Sequence, residues 1–213
     1  MNEFCFNTKV DQTLLLGRTA KNIPELLAGV KVVPESSIYY HTHRYLQQHH
    51  FLSPEPPNDF AYWITEVLND ARLGESISSV DIIQFRTLEE LRSRFIEILS
   101  DDAGHRRGAP SAPEGQEFHF MASRTFVVRT PHVARTLEEF KEVLKRLSVN
   151  SLYYHIFDAK LRLEKGENDF SRWFRDLGKT ELAERVARLD PYTFTLEGLR
   201  SQIIRLVDLY GTD

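Results

Sequence analysis

The residues alone specify a mainly helical chain, α+β with a small β component, built as an internal duplication of two homologous helical modules that each open on a strand or short hairpin. Three observations lead there. The stretch YYHTHRYLQQHHFLSPEPPNDFAYW, from Tyr39 to Trp63, returns in trimmed form as YYHIFDAKLRLEKGENDFSRW, from Tyr153 to Trp173. Matched positions keep an almost constant spacing: 114 from Glu3 and Glu117 to His41 and His155, 110 at Asn58 and Asn168, and 108 at Leu88 and Leu196. Apolar residues also recur at helical spacing in both copies. A repeat this long is a domain-sized unit, not one of the 20 to 50 residues that build solenoids.

Taken in order, each module begins with Phe-x-Phe, FCF or FHF, and the alternation followed by VDQTLLL or RTFVV predicts a strand or hairpin. Asn22 and Thr136 stand as helix caps with Glu25 and Glu139 three residues on, the spacing of a capping box. Behind them Ile23, Leu26, Val30 and Val33 match Leu137, Phe140, Leu144 and Leu147. The signature helix follows, with Ile38, Thr42, Tyr45 and Leu52 trending to one side and Leu152, Ile156, Ala159 and Leu163 repeating them. Pro54, Pro56 and Pro57 end the first copy, because proline lacks the amide and clashes with the preceding turn. Asn58 or Asp59 then caps a helix with the stripe Phe60, Trp63, Ile64, Val67 and Leu68, echoed by Phe170, Trp173, Phe174 and Leu177. A shorter helix carries Leu73, Ile77 and Val80, or Leu182, Val186 and Leu189, and a last one opens at Thr87 or Thr195.

Between the copies, SDDAGHRRGAPSAPEGQ, residues 100–116, holds three glycines, two prolines and no apolar periodicity, which reads as a flexible linker. The expected organisation is therefore a first module over 1–99, a linker over 100–116 and a second module over 117–213. Composition sets broad bounds. Lys and Arg number 27 against 31 Asp and Glu, so the net charge of −4 offers no global field for phosphates and nucleic acid is not an expected partner. Cys5 is the only cysteine, which rules out an internal disulfide or a cysteine-rich zinc site and fits a reducing compartment. Apolar runs fall short of the roughly 18 residues that span a bilayer, so a soluble cytoplasmic protein is expected, without a membrane partner. Phosphate-loop, dinucleotide-fold and nucleophile-elbow motifs are absent.

The runs HTHRYLQQHHFLSPEPPNDFAYW and LRLEKGENDFSRWFRDLG resemble signatures of a family of bacterial and archaeal proteins, domain of unknown function 5752, and the resemblance extends over nearly the whole chain. It implies a cytosolic location and carries no reaction, ligand or catalytic residue.

Site candidates come from the residues themselves. His41, His43, His49 and His50 crowd ten positions. On a regular helix at about 100° per residue, His41 falls toward Ile38 and Tyr45, whereas His43, Gln47 and His50 share another side. Two histidines separated by two turns cannot reach one ion near 2.1 Å from each nitrogen, so a divalent metal would need Asp59, Glu55, or His155 and Asp158 from the second module. No cofactor is expected, with a divalent metal at His41, His43, His50, Asp59 and His155 as the alternative. The shared His41 and His155 are expected to bond a capping group at the start of the next helix; the competing reading joins the two Tyr-Tyr-His turns into one site. Residues unshared between the copies are the better source of specificity: His43, Arg44, Gln47, His50 and Glu55 in one, Asp158 and Arg162 in the other, with the shared Tyr40 a further ligand-binding candidate. Arg44 and Arg162 suit a carboxylate or phosphate, and Tyr39, Tyr40 and Trp63 an aromatic wall, although Trp63 and Trp173 sit on core stripes. Two functional classes follow: a non-enzymatic binding or regulatory protein for a small molecule or partner protein, or a metal-dependent or acid/base enzyme using the His-rich helix.

Overall fold

The computed structural model describes residues 3–45, 57–105, 110–163, 167–189 and 194–211. The protein is mainly helical α+β. Strand β1 (Phe4–Ala20) pairs with β2 (Phe118–Ala134) in a two-stranded sheet. Cys5 lies beside Arg129 and Phe6 beside Thr130, whereas Asp11 lies beside Ser123, so the strands run antiparallel. Both are single long strands, not hairpins.

Helices follow β1 as α1 (Ile23–Val32), α2 (Glu35–Tyr39) running into a π turn (Tyr40–Arg44), α3 (Asp59–Tyr62) running into a second π turn (Trp63–Val67), α4 (Ala71–Ser78) and α5 (Leu88–His105). After β2 come α6 (Leu137–Leu144), α7 (Val149–Tyr153) with a π turn (Tyr154–Asp158), α8 (Ala159–Leu163), α9 (Asp169–Asp176), α10 (Thr180–Ala187) and α11 (Leu196–Tyr210). Helix α5 continues through His105, into the stretch whose composition suggested a linker; beyond it the Ala112 amide bonds the Lys21 carbonyl at 2.7 Å.

The helix starts obey local chemistry. Asn22 Oδ1 accepts from the Glu25 amide at 3.0 Å, while the Glu25 carboxylate accepts from the Lys21 amide at 2.9 Å. Thr136 and Glu139 repeat the arrangement, with Glu139 reaching the Arg135 amide at 2.6 Å. These bonds satisfy amides that have no partner in the first helical turn. Asn58 and Asn168, both fully buried, do more. Each caps its own helix through Oδ1, and each donates Nδ2 to a carbonyl of the following helix: Ile77 at 3.3 Å, Val186 at 3.1 Å. The apolar stripe after Asn58 is displaced by its π turn: Phe60, Trp63, Ile64 and Leu68 are buried while Val67 is only half-buried. Along α5, Leu91, Phe95 and Leu99 are buried, with Ile98 half-buried.

Two compact units divide the chain, and each strand is cut in mid-length between them. The first unit is Asp11–Arg124, the second Met1–Val10 with Thr125–Asp213. Phe118 and Phe120 therefore join the core built by Ile23, Leu26, Phe60, Ile64, Leu91 and Phe95. Phe4 and Phe6 join the core of Phe140, Phe170, Phe174, Leu199 and Ile203. Compared with segments 1–99 and 117–213, the units exchange the first halves of the two strands, and 100–116 falls within the first unit.

Candidate functional site

In the first unit, the π turn Tyr40–Arg44 places His41 at 1% exposure among Phe60, Phe118 and Phe120. Its Nε2 accepts from the Met121 amide at 3.0 Å. An acceptor nitrogen carries no proton, so Nδ1 holds it and donates to Asp59 Oδ2 at 2.5 Å. Asp59 is the first residue of α3, so the imidazole connects a helix start to a strand. In the second unit, His155 at 2% exposure is placed likewise: Nε2 accepts from the Asn7 amide at 2.8 Å and Nδ1 donates to Asp169 Oδ2 at 2.7 Å. The expected bond to the start of the next helix is made in both units. The strand amide is a partner that periodicity along one element does not reveal. Each ring is thereby neutral with both nitrogens engaged, leaving no lone pair to coordinate an ion or to take a proton from a substrate.

His43 requires a correction. The sequence put it off the buried face with His50, but it is 1% exposed, its ring stacked on Tyr39 at 5.6 Å and 6°. The reason is the π turn. Closing i→i+5 bonds widens the helix and takes a smaller angle per residue than the α-helical spacing assumed for the sorting. Thr42 donates its hydroxyl proton to the Ile38 carbonyl at 2.6 Å, so His43 Nδ1, 3.1 Å from that oxygen, is the donor to it.

Asp158, a ligand-binding candidate from the sequence, lies in a buried ion pair. It is 8% exposed, with Oδ2 2.7 Å from Nζ of Lys9, itself 2% exposed and 5.0 Å over the Tyr153 ring. Arg44 is half-buried, its guanidinium 4.9 Å over the half-buried Tyr40 ring, and its Nη1 is buried with no hydrogen-bond partner among the described residues. Trp63 and Trp173 are core, at 5% and 4% exposure, and Trp63 Nε1 donates to the Gln116 carbonyl at 2.8 Å. Gln47, His49, His50 and Glu55 lie outside the described residues, as does the side chain of Arg162. His41 and Asp59 belong to the first unit, His155 and Asp158 to the second. Among the described residues no group of three or more His, Cys, Asp or Glu side chains converges as a metal shell.

A cavity of about 580 Å³ opens between α4 and α5, lined in part by Arg72, Ser76, Arg94, Glu97, Asp101 and Asp102. It contains none of the residues nominated from sequence. Two ion pairs lie in its lining, Arg72 with Asp102 at 2.8 Å and Arg94 with Glu97.

Three residues with structural weight escaped the sequence reading. Arg92, 6% exposed, donates Nη1 to the Val30 and Val33 carbonyls at 2.8 and 2.7 Å, closing the C-terminal end of α1. Arg200, 9% exposed, does the same for Leu144 at the end of α6. Both follow a leucine, Leu91 or Leu199, in Leu-Arg pairs 108 positions apart, and that recurrence was the available signal. Lys9 had no such signal, since nothing local marks a strand lysine as buried.

No helix among the described residues is long and apolar enough to cross a membrane. No curated protein matches the chain. Among solved structures, OrfY from Thermoproteus tenax is similar with a TM-score of 0.84 and 28% identity, covering 100% of this chain and 97% of that one. The family model described as a family of unknown function, DUF5752, matches residues 1–208, and the chain belongs to that family.

Proposed function

We propose that the protein is a non-enzymatic cytoplasmic binding protein, made of two copies of one ancestral module, which recognises an anionic group of a small molecule or partner protein at Arg44. The observation that carries the reading is the state of the two shared histidines. With an aspartate on Nδ1 and a backbone amide on Nε2, each serves as a strut between strand and helix. What is common to both copies is thus scaffold, and recognition falls to residues that differ. Arg44 stands where the other copy has Asp158, by the same spacing of 114 that relates His41 to His155. Its buried Nη1 lacks an acceptor among the described residues, a costly state for a charged donor that a carboxylate or phosphate drawing the guanidinium outward would relieve. Tyr40 supplies the aromatic face beneath it. Gln47, His50 and Glu55, which follow Arg44 in sequence, and Arg162 in the second copy are further candidates for the same recognition.

Thermal melts with inorganic phosphate and with malate test the reading. A concentration-dependent rise in midpoint that disappears in Arg44→Gln is expected. A response unchanged in Arg44→Gln, or no response to any carboxylate or phosphate probe, overturns the anion assignment. Stoichiometric zinc, manganese or iron in protein purified without a histidine tag overturns the non-enzymatic one.

A further inference from the structure

Each unit holds a receptor for a Phe-x-Phe strand, and the two receptors are chemically alike. One takes Phe4 and Phe6, with the Asn7 amide on His155 and Ser151 Oγ donating to the Asn7 carbonyl. The other takes Phe118 and Phe120, with the Met121 amide on His41. The amide-to-histidine bond and the phenylalanine packing therefore do not tell the strands apart, although Ser37 Oγ, 114 positions before Ser151, has no hydrogen-bond partner among the described residues. Yet the strand that opens the chain is seated with the helices that close it, and the second strand with the helices that follow the first.

The residue that differs is two positions past that amide. In β1 it is Lys9, at 2% exposure, with Nζ 2.7 Å from Asp158 Oδ2. In β2 it is Ser123, at 7% exposure, bonded to Asp11 Oδ1 at 3.3 Å. The last position of the π turn differs in step: Asp158 in the second unit, Arg44 in the first. We infer that Lys9 and Asp158, set against Arg44, form a charge key that assigns each strand to the helices of the opposite half of the sequence. Were β1 to fold back into its own half, the buried Lys9 ammonium would meet the Arg44 guanidinium. Ser123 would then stand before Asp158, and the buried Lys9–Asp158 bridge would be lost. Breaking a buried ion pair and setting two cations against each other both disfavour the fold-back.

Turn chemistry acts in the same direction. A fold-back needs a tight hairpin at Val10-Asp11-Gln12 or at Arg124-Thr125-Phe126. Neither triplet has the glycine or asparagine that such turns demand, and Val, Thr and Phe favour an extended strand. The inference rests on the two-copy reading and not on the anion reading: a missing phosphate response with the predicted strand choice intact would count against the latter alone.

The test lets one cysteine choose between two. In a Cys5→Ser chain carrying Asn7→Cys, Ser151→Cys and Ser37→Cys, residue 7 meets residue 151 in the exchanged arrangement. In the fold-back it meets residue 37, which stands 114 positions before 151. The full chain is unfolded in urea with reductant, refolded at low concentration and oxidised, and the monomer fraction is digested for mass spectrometry of the disulfide peptides. The unmodified key should give the 7–151 link over 7–37 by at least tenfold. Arg44→Asp with Asp158→Arg offers Lys9 a carboxylate at home and should shift that ratio at least tenfold toward 7–37. Lys9→Met, which keeps the side-chain volume and removes the charge, should lower the preference severalfold. Far-UV circular dichroism confirms refolding, and if the double variant does not refold, Lys9→Met decides. A ratio unchanged in the refolded variants overturns the key.

Discussion

Replacing His41 with Ala removes a side chain at 1% exposure that bonds at both ends. The bond to Asp59 is made to a carboxylate, of the class worth about 1.5–3 kcal/mol, discounted here because the Asp59 side chain is 29% exposed and rehydrates. The Met121 amide is left without its acceptor, at about 1–3 kcal/mol. The ring also leaves a void against Phe118 and Phe60, whose centroids lie 4.7 and 5.3 Å away. These contributions overlap because one side chain makes all three, so the net loss is about 2–4 kcal/mol. At about 3 °C per kcal/mol for a chain of this size, the midpoint falls by roughly 6–12 °C. Urea unfolding gives the free energy, and amide hydrogen exchange gives the place, since Met121 should lose protection while the Asn7 amide, bonded to His155, keeps it. Asp59→Asn, which retains an acceptor but not its charge, should cost about 1 kcal/mol. If His41→Ala melts within about 1 °C of the parent and Met121 stays protected, the strut account is wrong.

Gly29→Ala places a Cβ 2.2 Å from Cζ of Phe120. It should cost about 1–3 kcal/mol by overpacking, and most of the loss should return in a double variant with Phe120→Leu, read by a mutant cycle. Asn168→Ala removes a buried cap and the bridge to the Val186 carbonyl; denaturant unfolding should show a loss of about 2 kcal/mol, against about 1 kcal/mol for the exposed cap in Asn22→Ala. Arg92→Met keeps the bulk of the stem but strands the Val30 and Val33 carbonyls, and should lower stability by about 2 kcal/mol with early exchange of amides at the end of α1.

Much of this architecture was legible because it is local. Asn22, Thr136, Asn58, Asn168 and Thr195 advertise helix starts by the geometry of a short acceptor three residues before an amide, and apolar stripes mark which side turns inward. The errors have local causes too. The π turns have no propensity signature, so their altered angular step put His43 on the wrong face and Val67 in the wrong stripe. The seating of the strands was beyond any periodicity, because no local pattern in Phe-Cys-Phe or Phe-His-Phe says which core it enters. The site followed the same division. The bonds of His41 and His155 to Asp59 and Asp169 span 18 and 14 residues and were anticipated, whereas those to Met121 and Asn7 span 80 and 148 and were not.

That last separation sets a timetable for the growing chain. Asn7 emerges first and meets His155 only after 148 further residues have been added, roughly 7–30 s at ordinary elongation rates. Over that interval Phe4 and Phe6 lack the core of Phe140, Phe170 and Phe174 in which they are finally seated, and Phe118 and Phe120, which join the core of Phe60, have yet to appear. The first-made strand is thus among the last to be seated. A nascent chain of this design gains from a chaperone that shields an N-terminal aromatic strand, and any premature stop before residue 155 releases a product whose opening strand has no binding partner of its own.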